Sequence, residues 1–269
     1  MVSIESSERD ALIATAHEVA DAARVATLSY FRSDDLVTDD KGRTGFDPVT
    51  EADRAAEIAI REVLRRRRPD DAVQGEELPP RAGTSGLTWV IDPIDGTRSF
   101  MSGAPVWGVL IALRDSRGPV LGIIDQPYIQ ERFTGGFGAA WVDGPMGRRC
   151  LRTRPQRDLE QATLFTTYPE LETAAETAAL RAISARVRLT RYGLDCYAYA
   201  LIAAGQIDLV VESGLQAHDV QAPIALIEAA GGLVTDWDGN PAPQGGRIIA
   251  AANPAIHAMA RAVLAAAAN

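Results

Sequence analysis

Thiols are scarce in this 269-residue chain, which carries two cysteines, Cys150 and Cys196. They form no CxxC pair and too few to make a framework of bridges, so free thiols in a reducing compartment are expected. No apolar run reaches the roughly 18 residues that a membrane-spanning helix needs. The opening MVSIESSERD has no basic stretch followed by an apolar one. No signal peptide is therefore expected, and the expected location is cytoplasmic. Positive charge is also in deficit, since 27 Lys and Arg against 36 Asp and Glu leave a formal net charge of −9. Such a surface repels nucleic acid and anionic membranes, and neither is expected as a partner. It would also repel a phosphorylated substrate unless something local reverses the sign. The one basic run, Arg65 to Arg68, closes a helical pattern before Pro69, where cations complement the negative end of the helix dipole.

What is present suits a globular protein, with 46% hydrophobic and 23% charged residues. The length allows one large domain or two modest lobes. Residues 7 to about 30 read as an amphipathic helix with Leu12, Ala16, Val19 and Ala23 on one face, and Ser7 and Asp10 have capping-box spacing. A polar loop, SDDLVTDDKGRTGFDP, separates it from a second helix that starts after Thr50 and stops at Pro69. Thr50 and Asp53 again have capping-box spacing. Strands follow at LTWVID, VWGVLIAL and VLGIIDQP, then a hairpin in RFTGGFGAAWVDG and a strand at RRCLR. Beyond residue 155 the strands ATLFTT, VRLT, IDLVVE, GLVTD and RIIAA alternate with helices near 170–184, 194–204, 218–230 and 254–267. The expectation is an α+β lobe over 1–154 and an α/β lobe over 155–269, meeting at a cleft as one catalytic unit.

The segment WVIDPIDGTRSF, Trp89 to Phe100, ends an apolar run in two aspartates three residues apart. Pro93 lacks a donor for a sheet ladder, so the strand is expected to end at Asp92 and the chain to turn. Asp92 and Asp95 then converge, Gly96 permits close backbone approach, and Thr97 onward starts a short helix whose N–H groups suit phosphate. Hard oxygen ligands beside an anion cradle fit a metal-bridged phosphate ester. An Asx turn with a cap explains the same twelve residues equally well. Three further stretches carry acids: Glu76 and Glu77 in VQGEEL, Asp53 in DPVTEADRAAE, and Asp219 in AHDVQAPIALIEAAGG. Singly, each is ordinary, because acids in first turns complement helix dipoles and paired Glu is usually a solvated turn.

Taken together they resemble the inositol monophosphatase family of magnesium-dependent, lithium-sensitive phosphomonoesterases. The match runs through Asp47-Pro48-Val49-Thr50-Glu51-Ala52-Asp53, Gly75-Glu76-Glu77, Asp92-Pro93-Ile94-Asp95-Gly96-Thr97, and Asp219 before EAAGGLVTDWDG. The resemblance implies a layered αβαβα sandwich of the sugar-phosphatase type and two or three Mg2+ per site. It implies that Glu76, Asp92 and the Ile94 carbonyl hold one metal, that Asp92, Asp95 and Asp219 hold a second, and that Glu76 touches the water shell of a weaker third. Thr97 and Asp53 would orient and deprotonate the attacking water, and the Gly96 and Thr97 N–H groups would hold phosphate oxygens. No His or Cys joins this set, and His218 is as easily a filler as a substrate contact. A homodimer is expected on the same ground.

The segment Arg191-Tyr192-Gly193-Leu194-Asp195-Cys196-Tyr197-Ala198-Tyr199 is similar to the RYGGDCYAY of the histidinol-phosphate phosphatase branch, with Leu194 in place of a glycine. The resemblance places Arg191, Asp195 and Glu212, with Asp95 and Asp219, around the substrate. Asp195 and Glu212 would offset the ammonium and imidazole of histidinol phosphate, which a polyol lacks. Tyr197 and Tyr199 packing on a helix capped by Asp195 is the plainer alternative. The reading is an Mg2+-dependent histidinol-phosphatase of histidine synthesis. The alternatives are an inositol 1-phosphate, sugar or nucleotide phosphatase, and a non-catalytic regulatory protein that keeps the fold.

Overall fold

The computed structural model describes residues 5–33, 38–40 and 48–268. Helix α1 spans Ser6–Tyr30, and the short strands β1 (Thr38–Asp40) and β2 (Pro48–Thr50) pair antiparallel before α2 (Glu51–Arg67). The polar loop expected between the helices thus contains a small ribbon. Asp47 and the Thr50 side chain, with its expected cap to Asp53, lie outside the described residues. The next strands are β3 (Ala72–Gly75), β4 (Thr88–Asp95), β5 (Gly108–Asp115), β6 (Gly118–Gln126), β7 (Glu131–Gly136), β8 (Ala139–Gly144) and β9 (Gly147–Cys150), with the short helix α3 (Thr97–Met101) after β4. These seven strands form one sheet in chain order, antiparallel except for β3 beside β4.

A second sheet holds β10 (Thr163–Thr166), β11 (Leu189–Tyr192), β12 (Leu209–Leu215), β13 (Leu233–Asp236) and β14 (Gly246–Ala251), in the order β11-β10-β12-β14-β13. Four helices accompany it: α4 (Ala174–Ser184), α5 (Asp195–Ala203), α6 (Ala217–Ala229) and α7 (Pro254–Ala268).

Three buried clusters define the layers. Leu12, Val19, Ile60 and Leu64 of α1 and α2 pack on Trp89, Ile91, Val109 and Ile111, one face of the larger sheet. Alternation along the strands turns Val90, Leu110 and Ala112 to the other face, against Ala200, Ile202, Ala222 and Leu226 of α5 and α6. Those helices also cover Val210 and Ile248 of the second sheet. Its far face, Leu164, Leu209 and Ile249, meets Leu180, Ile183, Ile256 and Leu264 of α4 and α7. The result is the expected αβαβα sandwich. Among the described residues no helix is long and apolar enough to cross a membrane.

Two local expectations change. Helix α1 begins at Ser6 with Glu5 as N-cap and no side-chain cap bond, so Ser7 and Asp10 form no capping box. Burial of one face along its 25 residues stabilises that helix without a cap. The helix expected from about 170 starts instead at Ala174. There Thr173 and Glu176 make a reciprocal capping box that leaves 167–173 as a loop.

Helix α6 lies unusually close to the larger sheet. Gly122 and Gly135 are cross-strand partners on β6 and β7. A Cβ on Gly122 would meet the backbone of Ala222, and one on Gly135 would lie 2.5 Å from the Leu226 Cα. Ala222 and Leu226 are four residues apart, one above the other on a single helix face. Asp219 precedes Ala222 by three and shares that face, so the glycine saddle also sets where Asp219 points. Gly135→Ala is expected to destabilise the fold by about 1–3 kcal/mol through overpacking. Chemical denaturation checks this, and an unchanged midpoint would show that the close approach is not needed.

Candidate active site

Asp92 and Asp95 are three residues apart, and in a regular strand they would face opposite sides of the sheet. They do not, because β4 continues to Asp95 and carries a bulge. Asp92 pairs with Leu110 and Asp95 with Gly108, so two residues of β4 stand opposite one of β5. Strand β4 therefore does not end at Asp92 as expected. Pro93 sits in the bulge, where a missing N–H does no harm to the ladder. The inserted residue restores parity, and both carboxylates face α5 and α6. A Cβ on Gly108 would lie 2.7 Å from the Cys196 Sγ of α5, which confirms the side. Ile94, inside the bulge, buries its side chain in the core under α1 and α2.

Each aspartate is oriented by one backbone N–H. Asp92 accepts from Ile94 at 3.0 Å, Asp95 from Cys196 at 2.7 Å, and Asp219, in the first turn of α6, from Gln216 at 2.6 Å. Oxygens of Asp92, Asp95 and Asp219 lie within 4.8 Å of one another, and so do ligand atoms of Glu76, Asp92 and His218. His218, open in the sequence between filler and substrate contact, comes within reach of the acids, with Nε2 3.5 Å from Asp219 Oδ1. Asp53 is 2% exposed in the first turn of α2 and adds to the field on Asp92.

The electrostatics are those of a site built for a cation. Burial, then the charges of Glu76, Asp95, Asp219 and Asp53, push the Asp92 carboxyl well above the usual range. Burial, then Asp195 and Asp219, do the same to Asp95, against the opposing Cys196 N–H. Burial also raises Asp219, while His218 and the Gln216 N–H pull it back. Carboxylate oxygens at this spacing fit a hard divalent ion, which would relieve the repulsion.

The loop after Asp95 is shaped for close approach. Gly96 is left-handed, with φ 83°, and caps α3. A Cβ there would lie 2.8 Å from the Asp195 carboxylate. Thr97 donates its hydroxyl to the Ile94 carbonyl at 3.1 Å.

A cleft of about 410 Å³ opens beside Asp95 and Asp219. Asp195 and Glu212 are among the residues that line it. Asp195 sits at φ 44°, a strained conformation for a side-chain-bearing residue, and accepts the Ser99 hydroxyl at 2.6 Å. Glu212 is buried and takes three donors, the Thr167 N–H and hydroxyl and the Tyr199 hydroxyl. Tyr199 is therefore a polar tie as well as packing. Tyr197 packs on Phe133 and donates to Glu131. Leu194 has φ −114°, a conformation open to any residue, so replacing glycine there costs little.

Arg191 is exposed on the edge strand β11 and is not among the residues that line the cleft. Sequence reasoning also missed Tyr168, Glu170 and Glu172, which line the cleft from the 167–173 loop. Pro169 and the Thr173 cap are the signals that could have found that loop. Arg98, also in the wall, stacks on Tyr168 and donates to its hydroxyl at 3.0 Å.

Comparison with known proteins agrees with this geometry. A model of the inositol monophosphatase family matches residues 8–268. The chain is 40% identical over 244 residues to the chloroplastic bifunctional phosphatase IMPL2 of Arabidopsis thaliana, covering 88% of this chain and 67% of that one. It is 36% identical over 253 residues to a histidinol-phosphatase of Streptomyces coelicolor, covering 90% and 92%. A solved structure of an inositol monophosphatase from Zymomonas mobilis superposes with a TM-score of 0.84 at 38% identity, covering 97% and 99%.

Raised carboxyls bind protons in the folded state that the unfolded chain has already lost. Stability from the cluster is therefore full below the ordinary carboxyl range and is lost as pH rises through the raised values. The metal-free protein is expected to melt lower as pH rises above the range in which ordinary carboxyls titrate. Asp92→Asn should flatten that slope and remove stabilisation by divalent ions. A slope unchanged by the substitution would refute the repulsion.

Proposed function

The chain belongs to the inositol monophosphatase family, whose members are phosphoric monoester hydrolases, and on that premise we propose that it hydrolyses histidinol phosphate to histidinol and phosphate. The observation that carries the substrate choice is the charge of the cleft wall. Beyond Asp95 and Asp219 it holds Asp195, Glu212, Glu170 and Glu172, against Arg98, which is engaged with Tyr168 and whose charge also acts on Asp195. A leaving group with an ammonium and an imidazole is favoured there, and a neutral polyol gains nothing from that charge. Glu212 already holds three donors of the roughly four a carboxylate accepts. Recognition of the cation thus falls mainly to Asp195, one of whose oxygens is held by Ser99.

In this reading Glu76, Asp92, Asp95, Asp219 and the Ile94 carbonyl hold Mg2+, the hard ion suited to oxygen ligands beside phosphate. Bound there, Mg2+ supplies Lewis-acid polarisation and acidifies water. The Thr97 hydroxyl, fixed on the Ile94 carbonyl, orients the attacking water, and Asp53 takes its proton. The Gly96 and Thr97 N–H groups bind phosphate oxygens at the start of α3. The strained Asp195 lies over Gly96 and spans the phosphate end and the leaving-group end of the cleft.

A second reading, the same chemistry on inositol 1-phosphate, is favoured by the likeness to the Zymomonas mobilis structure. Phosphate release from both esters, with Mg2+ and then EDTA, separates the two. Wild-type protein should prefer histidinol phosphate and lose activity in EDTA. Asp195→Asn should lower kcat/KM for histidinol phosphate by about 10–100-fold, the worth of a hydrogen bond to a charged group, and spare inositol phosphate. Equal losses on both would refute the cation pocket.

A further inference from the structure

Glu76 is the exposed member of the acid cluster, carried on a turn just after β3. Beneath it lies Glu57, a carboxylate of 0% exposure that has no part in the chemistry above. Glu57 follows Asp53 by four residues, one turn along the same face of α2. Its Oε2 accepts the Glu77 N–H at 2.8 Å, and its Oε1 accepts Arg61 Nε at 2.7 Å. Arg61 in turn donates to the Leu78 carbonyl at 3.0 Å. The carboxylate also fills the space where Gly75 would carry a Cβ, so any side chain at 75 displaces it. The backbone is thus bonded at 77 and 78 and packed against the same carboxylate at 75, on both sides of Glu76.

We propose that the Glu57–Arg61 pair is a positioning device that holds Glu76 at the metal centre. The proposal rests on reading Glu76 as a metal ligand. One helix then supplies Asp53 to the cluster and, one turn later, the clamp that sets Glu76. A buried charge that is paired and hydrogen-bonded is well suited to the task, because its geometry has no looser alternative. The clamp also explains why the acidic turn begins with glycine.

The test is divalent affinity, read by calorimetric titration of the full chain with Mg2+, alongside the melting temperature without metal. Glu57→Ala removes both contacts and is expected to weaken Mg2+ binding about 10–100-fold, as losing a partner of a metal ligand does. Glu57→Gln keeps an acceptor for the Glu77 N–H and should recover part of that loss. Gly75→Ala, which displaces the carboxylate from the other side, should weaken binding too, and combined with Glu57→Ala it should add little. If Glu57→Ala does not fold, Glu57→Gln decides, with weaker binding supporting the clamp and wild-type affinity overturning it. A folded Glu57→Ala that melts lower but binds Mg2+ like wild type overturns it as well. Glu76→Gln is the control. If it binds as wild type, the ligand reading of Glu76 fails on its own account, separately from the clamp.

Discussion

Asp92 is buried and Asp95 and Asp219 are half-buried within reach of one another, and their mutual repulsion is opposed by backbone N–H groups, His218 and a hydrogen bond between the Asp92 and Asp219 side chains. Folding must hold these charges together by force from elsewhere. The bulge in β4 turns two aspartates of odd spacing to one face of the sheet. The opposed glycines of β6 and β7 let α6 settle close enough to bring the third. The hydrophobic layers on either side stabilise these devices, since large buried side chains such as Ile91 and Leu110 flank the bulge. An apolar core of this kind can hold an electrostatically unfavourable cluster because it contributes far more than the cluster costs.

The cleft extends the same logic outward. Its inner end carries the acids that a cation would unite, and its outer wall carries more acids with one engaged arginine. A phosphate would be drawn in only where cations reverse the local sign, and the rest of the wall stays negative. An anionic ester with a cationic tail matches that division, which a uniformly basic or neutral pocket would not. The strained Asp195 sits at the join, against Gly96 on one side and the cleft on the other. Strain at such a point is affordable only because Ser99 and the packed α5 hold it.

Much of this was legible in the residues. Periodicity marked the strands and helices of both sheets, and the acids of the DPIDGT loop announced themselves through the Pro and Gly around them. What was not legible depends on pairing. The strand was expected to stop at Asp92 because Pro93 lacks a donor, yet the ladder tolerates Pro in a bulge. Only the register of β4 on β5 shows that Asp95 shares a face with Asp92. Arg191 stood beside Asp195 in a motif, but it is exposed on an edge strand. Nothing in the sequence singles out Glu57, whose grip on Glu77 crosses 20 residues of chain. The acids of the 167–173 loop likewise became visible only through the fold, which also brings His218 beside Asp219.

The central claim is that the folded chain stores unfavourable charge that a divalent cation relieves. Its most direct measurement is the number of protons released when Mg2+ binds, from titration calorimetry in buffers of different ionisation enthalpy. Carboxyls pushed up by burial and by one another retain protons that the ion must displace. The account predicts net proton release at pH values just above the ordinary carboxyl range, shrinking as the pH is raised further. Binding with no proton release at any pH would contradict it, because the carboxylates would then have tolerated one another without the ion.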